Sequence, residues 1–90
     1  MSDLVVALSR LGKTLEQRAS ELEHVVTARA YIREHGVYLE VKVHELDRVR
    51  GWFANYSWEF VEDDPERAVN LLLGHFESKV ASVLERENAG

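Results

Sequence analysis

The stretch Val37-Tyr38-Leu39-Glu40-Val41-Lys42-Val43-His44 places an aliphatic residue at every odd position. Successive side chains of an extended chain point to opposite faces, so this period of two predicts a half-buried strand. Val37, Leu39, Val41 and Val43 face inward, and Tyr38, Glu40, Lys42 and His44 face solvent. Downstream, five of the chain's eight aromatic residues (Trp52, Phe53, Tyr56, Trp58 and Phe60) fall within nine positions. Trp52, Ala54, Tyr56, Trp58 and Phe60 share one parity, which predicts a second strand with large rings on its buried face.

If these strands form an antiparallel hairpin, the odd face of the first must meet the even face of the second. Opposed residue numbers must then sum to an odd number, because a slip of one residue exchanges the two faces. A four-residue loop, Arg48–Gly51, meets the condition, with Val43 opposite Tyr56 and Gly51 supplying a positive φ; a six-residue loop meets it too. Phe53 has the other parity, with Asn55, Ser57 and Glu59. Phe53 beside the outward Tyr38 marks a candidate contact surface, since exposed aromatic rings are enriched at binding hot spots.

Upstream, Leu4, Leu8, Leu11, Leu15, Ala19, Leu22 and Val26 recur at spacings of three and four. That periodicity predicts one long helix from Ser2 or Asp3 to His35, with Gly36 as its natural stop. Arg29 and Arg33 interrupt the apolar line, and a period nearer 3.5 gathers Leu4, Leu11, Val25 and Ile32 with Leu8, Leu15 and Leu22. The helix is therefore expected to supercoil against a partner or to bend near Val26–Thr27, with Gly12 allowing close helix approach. Leu8, Leu11, Leu15, Leu22 and Arg29 are the candidate dimer or helix-packing residues.

The C-terminal segment opens with a helix start: Asp63 or Asp64 as cap, Pro65 in the first helical position and Glu66 in the first turn. Ala68, Val69, Leu72, Leu73, Phe76, Val80, Val83 and Leu84 form its apolar face, and it is expected to fray before Asn88. The fold expected is α+β in the order α-β-β-α, one domain over residues 1–90. A lone two-stranded ribbon is marginal in water and leaves open edges, so dimerisation is expected to complete the sheet.

Composition narrows the function. The 90 residues carry a net charge of −5, and residues 52–90 hold eight acids against three bases, so the excess lies there. From Trp52 to Glu66 there are five acids and no base. Such a chain lacks the basic stripe that nucleic acid requires, which argues against direct nucleic-acid binding and leaves a basic protein partner open. Glu59, Glu62 and Asp63 are the acids that would meet it. Cysteine is absent, so neither disulfide nor thiolate metal site is expected, and a cytoplasmic location fits. No stretch approaches the ~20 apolar residues of a membrane span.

Catalytic and metal signatures are also missing: no G-x-S-x-G, P-loop, G-x-G-x-x-G after a strand or H-E-x-x-H occurs. Glu21 and His24 have the i, i+3 spacing of carboxylate-bridged metal sites, but Leu22 holds the inward position, so an exposed ion pair is the expectation. No cofactor, metal ligand or catalytic residue is assigned. The leading expectation is a small non-enzymatic protein–protein interaction module, a regulator or accessory subunit of a larger partner, acting as a homodimer. One alternative is a phage or mobile-element inhibitor that docks on a nucleic-acid enzyme by acidic mimicry. Another is a metal-binding enzyme subunit.

Overall fold

The alternation of Val37, Leu39, Val41 and Val43 does make a strand, and it is the middle one of three. In the computed structural model, which describes residues 3–89 and side chains as far as Glu85, the order is α1 (Asp3–Glu21), β1 (Val25–Arg33), β2 (Gly36–Glu45), β3 (Arg48–Ser57), α2 (Trp58–Asp63) and α3 (Pro65–Ala89). The strands form an antiparallel sheet in the order β1-β2-β3. The fold is a small α+β one, with a long N-terminal helix, an antiparallel hairpin joined by a third strand, and a C-terminal helix.

Both long helices cover one face of the sheet. Val37, Leu39, Val41 and Val43 of β2 are buried there with Ala7, Leu11 and Leu15 of α1 and Ala68, Val69, Leu72, Phe76, Val80 and Val83 of α3. Arg10 bonds Glu66 and Asn70, and Arg18 bonds Glu77, so residue numbers rise together and the helices run parallel. These charges are partly exposed and screened by solvent, so the pairs contribute little, and the apolar seam beneath carries the packing. Two carboxylates, Glu77 first and Glu21 second, hold the Arg18 guanidinium above its already high ordinary pKa, so it stays charged.

The register keeps the expected parity but not the expected loop. Val41 lies opposite Trp52, Leu39 opposite Ala54 and Val37 opposite Tyr56, so the odd face of β2 joins the even face of β3. The connection is the two-residue turn Leu46-Asp47, with Glu45 opposite Arg48; Arg48–Gly51 belongs to β3, and Leu46, not Gly51, takes the positive φ (59°). Glu45 is buried at this end and holds Arg50 at 2.9 Å.

The N-terminal helix is shorter than its periodicity predicts. It stops at Glu21, and tight backbone bonds from Leu22 N–H to Ala19 and from Val25 N–H to Leu22 turn the chain into β1. Two features hide this strand in the sequence. Ala28 and Ala30, strong helix formers, occupy its inner face opposite Val41 and Leu39, and a bulge at Val26 breaks the period of two at its start. The apparent defect at Arg29 and Arg33 is the outer face of the strand. Gly36 is no helix stop but the first residue of β2, where an added Cβ would collide with the backbone carbonyl of Tyr56. Gly12 makes no close helix approach, since a Cβ there meets nothing within 4 Å. Ser2, an alternative cap for α1, lies outside the described residues.

At the other end, the aromatic strand stops at Ser57. The Ser57 side chain accepts a hydrogen bond from the Phe60 N–H and starts α2, which removes Trp58 and Phe60 from the strand. The inner-face rings line the rim of the core more than its centre: Trp52, Tyr56 and Trp58 are half-buried, Phe60 is exposed, and Phe76 of α3 is the fully buried ring. Trp58 donates its indole N–H to the Arg33 carbonyl at 2.8 Å and so ties α2 to the β1–β2 turn. Asp64 alone separates α2 from α3, where it accepts from the Arg67 N–H ahead of Pro65; α3 then runs past Asn88 to Ala89.

Candidate functional site

Helices on one face leave the other face of the sheet uncovered by any element among the described residues. Strand alternation assigns its residues. β1 presents Thr27, Arg29, Tyr31 and Arg33, β2 presents Tyr38, Glu40, Lys42 and His44, and β3 presents Val49, Phe53 and Asn55. Two rows cross its centre: Arg29–Glu40–Phe53 and Tyr31–Tyr38–Asn55. Three aromatic side chains therefore sit in adjacent rows of one open surface, and Phe53 is 68% exposed.

The polar groups around them are partly organised. Arg33 lies over the Tyr31 ring at 4.8 Å, and Lys42 pairs with Glu40 at 3.2 Å. Glu40 stands between Arg29 and Phe53 with its side chain only 15% exposed, so the neighbouring chains cover it. Arg29, Arg33 and Lys42 face one acid, Glu40, which makes this surface positive in a chain of net charge −5. The negative charge sits elsewhere: residues 58–89 hold eight acids and three bases.

The candidate residues thus fall into three groups. Tyr38 and Phe53 come together on the open face, diagonal to each other across β2 and β3. Glu59, Glu62 and Asp63 gather on α2, are exposed, and make no ion pair among the described residues. Asp64 and Glu66 are accounted for by the α3 cap and by Arg10. Leu11 and Leu15 are buried in the chain's own core, and Leu8 and Leu22 pack against it. Arg29, placed by the helical reading beside these leucines, is instead an exposed residue of the open sheet face.

Tyr31 belongs to the candidate surface but is hidden in the sequence, because residues 25–33 also fit a helical period. The run Val25-Val26-Thr27 and the pair Tyr31-Ile32, all β-branched or aromatic, carried the missing signal. Glu21 and His24 lie on either side of the end of α1, so the helical i, i+3 geometry does not form. Among the described residues no group of three or more His, Asp or Glu side chains could hold a metal ion. Among the described residues no helix is long and apolar enough to cross a membrane. No family model matches the chain, and neither a curated protein nor a solved structure matches it.

Proposed function

We propose that the chain is a small protein–protein interaction module, a regulator or accessory subunit, whose working surface is the open face of the sheet. The observation that carries this reading is Phe53. A large ring 68% exposed on the β3 edge of a helix-free sheet face, diagonal to Tyr38 and in the row next to Tyr31, has the composition of a binding anchor and contributes nothing to the chain's own core. Arg29, Arg33 and Lys42 would draw acidic groups at a partner's rim toward the aromatic centre. The net charge of −5 opposes approach to a polyanion, which favours a protein over nucleic acid as the occupant.

The test is quantitative capture from the native host with tagged wild type and Phe53→Glu. The reading expects one protein retained by wild type and lost by the variant, at an unchanged circular dichroism spectrum. Equal recovery by both, or saturable binding of single-stranded oligonucleotides by purified wild type, would overturn it.

A second reading, acidic docking to a basic surface of a nucleic-acid enzyme, is favoured by the exposed trio Glu59, Glu62 and Asp63, which make no ion pair among the described residues. It expects salt-sensitive binding that falls when the three are replaced by Gln, Gln and Asn, whereas the first reading expects that triple variant to keep its partner.

A further inference from the structure

β1 and β3 are the two edges of the sheet, and their inner faces differ. β3 carries Trp52 and Tyr56, whose half-buried rings fill the rim beside α3. β1 carries Ala28 and Ala30, and these small residues leave a groove of about 460 Å³ between the strand and α1, also lined by Gly12, Leu15 and Ala19. Two positions further along the same face stands Ile32, opposite Val37 yet 63% exposed. A hollow and an apolar knob therefore lie on one face of one open edge, four residues apart.

We infer that β1 pairs with β1 of a second copy, antiparallel, about a twofold axis normal to the sheet and centred on Ala30. Such an axis keeps the helices of both copies on one side, so a residue can only oppose one of its own parity. Centring on Arg29 would set Arg29 against Arg29 of the second copy; centring on Tyr31 would set Arg29 against Arg33. Centres further out shorten the ladder or run it into the bulge at Val26. Centring on Ala30 opposes Arg29 to Tyr31 and Arg33 to Thr27, which removes the like-charge pairs and offers each arginine a ring or a hydroxyl. The same register sets Ile32 opposite Ala28, so each copy's knob enters the other's hollow. Hydrogen bonds across β1 would join two three-stranded sheets into one of six and close an otherwise open edge of nine residues.

The chain contains no cysteine, so single cysteines report the register cleanly. Purified Ala30→Cys, Arg29→Cys and Tyr31→Cys would be oxidised at micromolar concentration and followed as covalent dimer. Ala30→Cys is expected to cross-link about tenfold faster than either neighbour, because only it faces its own copy. Wild type is expected to scatter light at twice the chain mass of 10.3 kDa, and Ile32→Lys at that mass itself with an unchanged circular dichroism spectrum. A wild-type mass of 10.3 kDa, or faster cross-linking at position 29 or 31, would overturn the inference. These readouts use the isolated protein and are independent of any partner on the open face.

Discussion

The two faces of this sheet are built from the same three strands and differ in almost everything else. On the covered face, Val37, Leu39, Val41 and Val43 are at most 1% exposed beneath two parallel helices. On the open face, the residues between them are Tyr38, Glu40, Lys42 and His44, with Tyr31 and Phe53 to either side. The first face holds the buried core, and the second adds no residue to it. Phe53, 68% exposed, is the large ring that this face leaves to solvent.

Substitutions can break that contrast. Leu39→Ala removes a fully buried side chain at the centre of the covered face and is expected to destabilise by about 3–4 kcal/mol in urea unfolding. Gly36→Ala attacks the register that separates the faces: the new Cβ meets the Tyr56 carbonyl, so the β2–β3 ladder must shift, with a loss of about 3 kcal/mol by the same assay. At the opposite end of β2 the expected sign reverses. Leu46 is 86% exposed at φ 59°, and Leu46→Gly is expected to stabilise by about 0.5–1 kcal/mol, seen as a raised Tm. Phe53→Ala should move stability by no more than about 0.5 kcal/mol in either direction, although it deletes a whole ring. A large loss at Phe53 would show that the open face belongs to the fold and not to a partner.

The covered face was legible in the sequence wherever its alternation ran unbroken. The shared parity of β2 and β3 follows from the period of two, but the register does not: the two-residue turn sets Val41 opposite Trp52, where a four-residue loop would set Val43 opposite Tyr56; Pro65 behind Asp64 announces α3. Failure came at β1, where alanines stand in place of valines and one bulged residue shifts the phase, so a helical period fits as well. It came again at Ser57, where Trp58 and Phe60 happen to continue the strand's parity although the serine is already capping a helix. Of the candidate surface, Tyr38 and Phe53 could be placed because their strands were readable. Tyr31 and Arg29 could not, since the face they occupy exists only once β1 is a strand.

The account turns on whether a partner sits on the open face, and site-specific photo-cross-linking tests this most directly. A photoreactive phenylalanine analogue would replace Phe53 in the native host, with the same analogue at Leu71, 42% exposed on the helix layer, as the control. The account predicts a discrete adduct of one protein from position 53 and none from position 71. Equal labelling at both positions, or an adduct from position 71 alone, would contradict it.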